Sequence, residues 1–382
     1  MMRRRVDISS LLPRYAQARQ YLEDLIHNVP YGPGDQLPSE RELASTFQVS
    51  QMTMNRAIQE MVRDGILYRE VGRGTFVVHR EQPPRQNGTL GLVTLFSPGI
   101  VKRNYYASEI FRGVHEAASQ AQRDLLLIHE PIHQTQGMVS RLHGRADGFL
   151  LMSPPDEALP AMRRLRAEGI PIMVVGSSWL NEDIPAVDSD NIMGAHQAVE
   201  LIAASGHERI GLIGGPEDMS NSRDRHIGFR DSLRAQGLSY RTNWVFPSEN
   251  ARSLSEEEKR RILSVSHAGS GPTAFFVAGY ELAVQTIEAL QSEGIRVPED
   301  VSIVGFDDTF SAAFLNPPLT TVVQPLGSMG VRAVQRLDAM LHGRSDDAGA
   351  ETVERLPTIL VVRQSCATPK TAAAIPQAVS SR

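Results

Sequence analysis

Residues 33–57 read PGDQLPSERELASTFQVSQMTMNRA, and this stretch decides the fold of the amino-terminal part of the chain. Ser39 is followed three residues later by Glu42, which is the capping-box pattern with which a helix begins. After a turn at residues 48–49, Ser50 can cap a second helix whose apolar residues recur at helical spacing. The stretch therefore predicts two short helices separated by a tight turn.

The flanking residues extend this pair of helices into a small domain. Upstream, residues 13–27 carry apolar side chains at helical spacing, which predicts a first helix. Downstream, residues 66–71 and 75–79 predict two strands that flank the glycine-rich tip Gly72-Arg73-Gly74. Three helices followed by a two-stranded hairpin are typical of a winged helix-turn-helix.

The composition is that of a folded protein with more than one domain. Hydrophobic residues make up 41% and charged residues 22% of the 382 residues. The longest apolar runs are far shorter than the roughly 18–20 residues that a membrane span needs, and the basic first residues lack the apolar run of a signal peptide. The single cysteine, Cys366, excludes an internal disulfide framework and a thiolate metal cluster. We therefore expect a cytoplasmic protein with no membrane partner.

The formal net charge of −5 hides an uneven distribution. Residues 1–85 carry 12 arginines and 10 acidic residues, a net charge of +2. The remainder carries 27 basic and 34 acidic residues, a net charge of −7. A basic head on an acidic body predicts that the head contacts nucleic acid and that the body stays off it.

Residues 81–88 contain two prolines and no apolar residue, which predicts a linker. Beyond it, short apolar runs alternate with helical patterns, as in βαβ units whose parallel strands are buried on both faces. The apolar runs lie at residues 90–96, 125–128, 149–152, 172–175, 210–213, 274–278 and 301–304. Roughly 275 residues of this pattern predict two similar α/β lobes. The predicted division is a winged helix-turn-helix domain at 1–80, a linker at 81–88, a two-lobed domain at 89–366 and a disordered tail at 367–382.

The amino-terminal domain resembles the GntR-type winged-helix repressors over residues 14–79. The matching identities lie at residues 33–44, 49–57 and 72–77. Many fixed identities in register make this resemblance specific, unlike the match of an isolated helix-turn-helix. It implies that the domain binds operator DNA with the start of its third helix.

At the start of that helix, hydroxyl and amide groups are expected to contact the DNA. The hydroxyls of Ser50 and Thr53, with the exposed amides of the first turn, can bind phosphate oxygens. Gln51 and Asn55, one turn apart, can reach base edges, and amide side chains suit adenine in the major groove. The candidate DNA-binding residues are Ser39, Arg41, Ser50, Gln51, Thr53, Asn55, Arg56, Gly72 and Arg73.

Outside the third helix, the resemblance implies two further contacts. Arg41 on the second helix matches a family position that reaches the operator, and Gly72 and Arg73 at the wing tip approach the minor groove. Gln51 replaces an arginine that is common in the family, and Asn55 occupies a position that arginine often holds. These departures alter which base pairs are preferred, so the operator sequence does not carry over.

The second domain resembles the LacI/GalR effector domain, itself similar to periplasmic sugar-binding proteins, across residues 89–365. The matching stretches are residues 104–110, 147–148, 206–210, 225–229, 301–308, 317–322, 356–357 and 362–365. The resemblance implies two α/β lobes with parallel sheets and an effector bound between them.

The resemblance assigns effector contacts to four residues. Arg225 and Asp307 match the arginine and aspartate that hold the effector, and a guanidinium and a carboxylate can each pair with adjacent hydroxyls. Tyr105 and Tyr106 match the aromatic pair of the first lobe, whose rings stack on an apolar ligand face. Gly279-Tyr280 stands where the family usually has Asn-Asp, so the effector need not be a familiar one.

This head joined to this body resembles the arabinose-repressor type of hybrid regulator. The resemblance implies a sequence-specific DNA-binding transcriptional regulator, a repressor, whose operator affinity is controlled by a small carbohydrate-like effector. A homodimer would bind a palindromic operator, because symmetry in the protein mirrors symmetry in the DNA. The sequence contains no P-loop, nucleophile elbow or dinucleotide fingerprint, so neither a cofactor nor an enzymatic activity is expected.

Two other functions remain open at this point. The first is a ligand-independent regulator whose body only dimerises, and the lost Asn-Asp pair supports it. The second is a carbohydrate-active enzyme with an accessory winged helix, in which Asp307 and Asp308 form a general acid/base pair.

Several candidate residues also fit a purely structural role, without contact to DNA or an effector. Helix capping and surface charge are the alternative for Ser50, Thr53 and Arg41, and the dense motif match favours DNA contact over it. Arg225 also fits a solvated helix arginine, and the two tyrosines also fit core positions. Asp307 also fits a residue that ends a strand and caps the next turn.

One string resembles a zinc site. His129-Glu130-Pro131-Ile132-His133 matches the HExxH pattern, which binds zinc only when both histidines lie on one continuous helix. Pro131 lies inside the string and a strand pattern precedes it, so the helix is disfavoured. No metal site is therefore expected.

Overall fold

A computed structural model of the chain describes residues 13–28, 31, 34–63, 66–70, 72–77, 88–94, 104–129, 142, 144–267, 269–343 and 352–370. The chain divides into two compact units, Met1–Asn87 and Gly88–Arg382. No helix within these ranges is long and apolar enough to cross a lipid bilayer.

The first unit is the predicted winged helix-turn-helix. Its elements are α1 (Arg14–Asn28), α2 (Glu40–Phe47), α3 (Gln51–Arg63), β1 (Leu67–Glu70) and β2 (Gly74–Val77). The capping box is formed as expected, with the Ser39 side chain accepting from the amide of Glu42 and the Glu42 side chain accepting from the amide of Ser39. The turn to α3 is made by Gln48, whose φ of 55° lets the chain leave α2 sharply.

Apolar residues at helical spacing bring the three helices together. The buried core of the first unit comprises Ala18, Leu22, Leu37, Leu43, Ala44, Phe47, Met54, Ala57, Ile58, Met61, Leu67 and Val77. The two strands pair antiparallel, with Leu67 opposite Val77 and Glu70 opposite Gly74. Because one face of α3 supplies four of the buried residues, its opposite face is left for solvent or a partner.

The second unit alternates strands and helices. In chain order its elements are β3 (Thr89–Thr94), α4 (Tyr105–Gln120), β4 (Asp124–His129), β5 (Gly148–Met152), α5 (Leu159–Ala167), β6 (Ile172–Val175), β7 (Ala186–Ser189), α6 (Asn191–Ala204), β8 (Ile210–Gly214), α7 (Ser220–Ala235), β9 (Val245–Pro247), α8 (Glu256–Ser266), β10 (Ala274–Val277), α9 (Tyr280–Ser292), β11 (Ser302–Phe306), β12 (Thr320–Val323), α10 (Leu326–Leu341), β13 (Val353–Leu356) and β14 (Ile359–Val361).

These strands form two six-stranded sheets, one for each lobe. The first sheet has the order β13-β7-β6-β5-β3-β4, and all its neighbouring strands are parallel. The second has the order β14-β12-β11-β10-β8-β9 and is parallel except for the edge pair β12–β14. The expected fold of two α/β lobes with parallel sheets is confirmed, with an antiparallel edge strand in the second lobe.

The chain passes between the lobes three times. It leaves the first sheet after β7, returns after β12 to form α10 and β13, and leaves again to add β14. In the first lobe α10 packs closely on α4, because Gly113 has no side chain; a Cβ there would lie 2.0 Å from the carbonyl oxygen of Gly327. The three crossings bring residues that are distant in the sequence to one place between the lobes.

The ordered body extends past both predicted ends. Gly88, expected in the linker, donates from its amide to Asp147 Oδ2 at 2.9 Å. Residues 367–370, expected in a disordered tail, are instead fastened to the second lobe, since the carbonyl oxygen of Ala367 lies 2.8 Å from His207 Nε2 and Lys370 pairs with Asp300 at 2.7 Å. The linker residues 81–87 and the tail residues 371–382 lie outside the described residues.

Candidate DNA-binding and effector-binding sites

The start of α3 brings two candidate hydroxyl groups together. Ser50 Oγ accepts a hydrogen bond from the amide of Thr53 at 3.1 Å and lies 2.7 Å from Thr53 Oγ1. Gln51, at the first position of the helix, is exposed. The two hydroxyls therefore lie together at the positive end of the helix dipole, beside the amides of Gln51 and Met52.

One turn further along, Asn55 and Arg56 face different neighbours. Asn55 is half-buried, and its Nδ2 donates to Glu40 Oε2 at 2.9 Å. The guanidinium of Arg56 lies over the ring of Tyr15, 4.0 Å from its centroid, and Nε is 3.7 Å from a carboxylate oxygen of Glu60. Arg56 is thus held by the first helix and by its own helix, and its contact with DNA remains a prediction.

The two candidates at the start of α2, Ser39 and Arg41, differ in whether their side chains already make contacts within the protein. Ser39 is exposed, and its hydroxyl is within 2.8 Å of Glu42 Oε2 as part of the capping box. Arg41 is exposed and has no hydrogen bond or ion pair with another described residue. Of the two, Arg41 is the side chain that can reach a phosphate without breaking a contact.

The wing tip is built by glycines and a glutamine. Gly72 has a φ of 79°, and a Cβ added there meets no atom within 4 Å. The side chain of Arg73 is 72% exposed and is ion-paired with Glu70. Gln36 Nε2 donates to the carbonyl oxygen of Arg73 at 2.5 Å and would lie 2.6 Å from a Cβ on Gly74. Gln36 was not among the sequence-based candidates, and its side chain supports the wing tip.

In the body, Arg225 of α7 is buried. Its Nε donates to Asn191 Oδ1 at 2.9 Å and its Nη1 to the carbonyl oxygen of Ala278 at 2.9 Å. The guanidinium stacks on the ring of Phe306 at 3.8 Å, and Nη1 is 4.0 Å from Asp307 Oδ2. The alternative of a solvated arginine is therefore wrong, because the side chain is only 6% exposed.

Asp307 follows directly on β11 with a φ of 74°. Its Oδ1 accepts a hydrogen bond from Gln324 Nε2, and Gln324 Oε1 accepts one from Ser189 Oγ at the end of β7. The following 3₁₀ turn, Phe310–Phe314, starts at Thr309 with no side-chain cap. Asp307 is therefore part of a polar chain that links the two lobes, and it does not cap that turn.

Both tyrosines lie at the start of α4, which Asn104 caps by accepting from the amide of Ala107 at 3.2 Å. The hydroxyl of Tyr106 accepts from Ser153 Oγ at 3.0 Å and donates to the carbonyl oxygen of Gly176 at 3.4 Å. Burial, with the charge of Asp188 adding to it, raises the pKa of Tyr106 well above its usual range, so the phenol stays protonated. Tyr105 is 40% exposed.

The polar groups around Arg225 come from equivalent positions at the ends of strands in the two sheets. Ser153, Ser189, Asp307 and Gln324 lie at or just beyond the carboxyl ends of parallel strands, where open α/β sheets bind their ligands. Ser189, Asn191 and Gln324 were not among the sequence-based candidates. Polar residues directly after buried strands are the signal that could have found them.

The side chain of Asp308 makes an ion pair that is separate from the contacts of Asp307. Its two carboxylate oxygens accept from Nη1 and Nη2 of Arg363 at 3.0 and 2.8 Å. Arg363 also donates to the carbonyl oxygen of Leu319 at 2.7 Å. The second aspartate thus fastens the last strand of the lobe.

At the rim, the two lobes contact each other through charged side chains. Arg223 on α7 of the second lobe donates to both carboxylate oxygens of Asp156 in the first, at 2.7 and 3.0 Å. Asp156 also accepts from the indole of Trp179 at 2.8 Å. Nearby, the amide of Ser178 donates to Ser220 Oγ at 3.0 Å. The lobes are therefore held against each other beside the Arg225 cluster.

Asp188 is a buried carboxyl next to this cluster. It accepts from Ser178 Oγ at 3.1 Å and from the amide of Ser189 at 2.8 Å. Burial, with the charge of Asp224 adding to it, raises the pKa of Asp188 from 3.8 to about 7. Because the folded state holds this proton more tightly than the unfolded state, the stability that the proton contributes is complete below pH 3.8 and is lost as the pH rises to about 7.

Replacing Asp188 with asparagine is expected to remove this part of the pH dependence. The wild-type melting temperature should fall relative to that of Asp188→Asn between pH 4 and pH 7, since asparagine carries no charge to bury. Thermal melting at several pH values checks this. Asp231→Asn, at a surface carboxyl ion-paired with Arg230, is the control and should run parallel to wild type.

The described ranges contain no group of three or more histidine, cysteine or acidic side chains that could hold a metal ion. His129 is the last residue of strand β4. Glu130 and His133 of the HExxH string lie outside the described residues.

Comparison with known proteins matches both units. Residues 14–77 match the model of the bacterial regulatory proteins of the gntR family, and residues 199–366 match that of a periplasmic binding protein-like domain. The chain is 30% identical over 377 residues to the arabinose metabolism transcriptional repressor of Geobacillus stearothermophilus, covering 93% of this chain and 98% of that protein. The chain belongs to this family of gntR-headed transcriptional repressors.

Two other relatives of this regulator match a smaller share of the chain. The HTH-type transcriptional repressor CytR of Escherichia coli K12 is 28% identical over 322 residues, or 82% of this chain and 88% of CytR. The solved complex of the transcriptional regulator CelR with cellobiose has a TM-score of 0.66 and 28% identity, covering 83% of this chain and 92% of CelR. These relatives are transcriptional regulators, and both family resemblances inferred from the sequence are confirmed.

Proposed function

We propose that this regulator is a repressor that binds its operator with α3 and the wing, and that a small carbohydrate-like effector bound between the lobes controls its operator affinity. One observation carries the effector part: the polar chain from Ser189 through Gln324 and Asp307 to Arg225 joins both lobes. A ligand that pairs with this chain would bind both lobes at once.

The chemistry of the cluster suits neighbouring hydroxyl groups. Arg225 offers planar N–H donors and Asp307 offers an acceptor oxygen 4.0 Å away, so that two adjacent hydroxyls can each be paired. The phenol of Tyr106, held protonated, adds a further polar group beside them. The relative CelR was solved with cellobiose, a hydroxyl-rich ligand, and this supports the class of effector proposed here.

The effector would act by favouring the closed arrangement of the lobes. The contacts of Arg223 with Asp156 and of Ser178 with Ser220 already hold the lobes together at the rim, so a ligand between them would add to an existing closed state. If closure weakens operator binding, the operator must weaken effector binding by the same factor. Release of DNA on effector binding is the direction we propose.

We further propose a homodimer in the cytoplasm. A two-fold dimer places two recognition helices on a palindromic operator. The second lobe carries two large exposed aromatic side chains, Phe310 at 82% and Phe314 at 72%, whose rings are 4.9 Å apart. Such a surface is suited to cover by a second subunit.

We propose that the cluster senses its ligand and does not turn it over. A glycosidase needs two carboxyl groups that are free to exchange protons, and Asp308 is instead paired at both oxygens with Arg363. Incubation of the protein with sugars is expected to leave them unchanged by chromatography. Release of a product would support the enzyme alternative.

A panel of sugars and their phosphates tests the effector proposal. Asp307 lies 4.0 Å from the guanidinium of Arg225, and burial raises the pKa of two further carboxyls, Asp188 and Glu281, the second of which is 3.5 Å from Arg252. Neutral sugars are therefore expected to bind and sugar phosphates to be repelled. At a hundredfold excess over Kd, a bound sugar should raise the melting temperature by about 4 °C.

The panel pairs each neutral sugar with its phosphate and includes nucleosides. A shift with a phosphate and none with its parent sugar would contradict the expected charge preference. No shift with any sugar, sugar phosphate or nucleoside would favour the ligand-independent regulator.

A further inference from the structure

Glu40, the first residue of α2, joins three elements of the DNA-binding unit. Its Oε2 accepts the hydrogen bond from Asn55 Nδ2 on α3 at 2.9 Å, and its Oε1 accepts one from the guanidinium of Arg69 on β1. The Glu40 side chain is 25% exposed and that of Arg69 is 36% exposed. A single carboxylate thus connects the recognition helix with the wing.

The chemistry of the carboxylate decides how the Asn55 amide is turned. An amide carries a donor on one side and an acceptor on the other, but an ionised carboxylate can only accept. The Nδ2 side of Asn55 must therefore face Glu40, and the contact is strengthened by the charge of the carboxylate. Oδ1, which has no hydrogen-bond partner among the described residues, is left as the atom that can meet a base.

We propose that Glu40 is a positioning residue that sets the base preference of Asn55, and that Arg69 holds Glu40 in place. This inference rests on the proposed function, in which Asn55 reads a base edge. With Oδ1 presented, Asn55 favours bases that offer an amino donor in the major groove, which are adenine through N6 and cytosine through N4. Guanine and thymine offer only acceptors at the corresponding positions and are disfavoured.

Arg69 has a second effect in this arrangement. A carboxylate close to a DNA-binding helix would repel phosphates, and the guanidinium of Arg69 offsets its charge. The carboxylate can therefore orient Asn55 without opposing the approach of DNA. Because Arg69 belongs to a wing strand, the orientation of Asn55 depends on the wing being folded against α2.

The test is selection of preferred sites from randomised duplexes with the full-length protein and its variants, followed by measurement of affinities for the selected duplexes. Glu40→Ala frees the amide to rotate, so it should lose about tenfold of base discrimination at one base pair in each half-site. Its affinity for unselected DNA should be unchanged or higher, because a negative charge has been removed. Glu40→Gln keeps an acceptor oxygen for Asn55 Nδ2 and should retain most of the preference.

Two further variants separate this inference from the proposed function. Asn55→Ala should lose discrimination at the same base pair, and Glu40→Ala combined with Asn55→Ala should lose no more than Asn55→Ala alone. Glu60→Ala removes a carboxylate from α3 that contacts Arg56 instead, and it should keep the wild-type preference.

The possible results distinguish the positioning role of Glu40 from base reading by Asn55. If Asn55→Ala loses discrimination and Glu40→Ala keeps it, the positioning role is overturned while base reading by Asn55 stands. If Asn55→Ala keeps the wild-type preference at every base pair, base reading by Asn55 is overturned and the positioning role with it. If Glu40→Ala and Glu40→Gln both weaken binding to all duplexes equally, with lowered melting temperatures, Glu40 only supports the fold.

Discussion

Replacing Arg225 with alanine is expected to abolish the effector response while leaving operator binding without effector intact. The guanidinium supplies the N–H donors at the centre of the cluster, and charge-assisted hydrogen bonds contribute about 1.5–3 kcal/mol each. Removing two such bonds to the ligand should weaken effector binding by about 100-fold or more. Titration of a preformed operator complex with the sugar that most raises the wild-type melting temperature measures this effect.

The alanine variant also removes the donor that pairs with Asn191 Oδ1 and the guanidinium beside Asp307, which lowers the free energy of unfolding by about 1–3 kcal/mol. Arg225→Lys separates the two effects, since lysine keeps the charge but lacks the planar set of donors. Arg230→Ala is the matched control, because Arg230 lies on the same helix and pairs with Asp231 at the surface. A full effector response in Arg225→Lys and in Arg225→Ala would contradict the proposed site.

The triple substitution Ser50→Ala, Thr53→Ala and Gly72→Asp is expected to remove specific operator binding. It deletes two hydroxyls at the end of α3 that can bind phosphate and places a carboxylate at a wing tip where a Cβ meets no neighbour. Removing two phosphate-binding hydroxyls and adding one repulsive charge should lower operator affinity by about 100-fold or more at physiological salt. The slope of log affinity against log salt should change little through the loss of the two uncharged hydroxyls and should become shallower through the carboxylate added at position 72.

The loss of the Ser50 cap costs about 1 kcal/mol of helix stability by itself, so matched changes in the other unit serve as controls. Ser255→Ala removes the equivalent cap of α8, where Ser255 Oγ accepts from the amide of Glu258 at 3.2 Å. Gly237→Asp changes a glycine of similar φ, 69°, which also has open space around it. These two variants should keep wild-type operator affinity, and an unchanged affinity in the triple variant would exclude the proposed DNA-binding surface.

The sequence alone predicted the architecture because the signals that specify it are local. A capping box, an apolar period and a glycine-rich hairpin each act within a few residues, so Ser39, Ser50 and Gly72 could be placed without knowing the rest of the chain. The same holds for most strands of the body, whose apolar runs reflect burial on both faces. Some strands were missed, among them β7, which contains Asp188, and β14, which is a partly exposed edge strand.

Interactions between distant side chains depended on the tertiary structure. Among the candidates, Asn55 proved to be turned towards Glu40 and Arg56 to be held against Tyr15, although both face outward from α3 by helical spacing. The net charge of each part of the chain can be counted from the sequence. The pairing of individual carboxylates with individual guanidinium groups cannot be read from it. Asp307 and Asp308 are adjacent in sequence and belong to separate arrangements.

The sequence thus determined that this protein has a winged helix-turn-helix and a two-lobed α/β domain, and the family resemblance predicted effector contacts for Arg225 and Asp307. Only the tertiary structure decided which side chains complete the cluster, among them Asn191, Gln324 and Ser189. The physical reason is the path of the chain. Three crossings between the lobes bring strand ends more than a hundred residues apart into hydrogen-bonding distance, and no short-range pattern records which ends will meet.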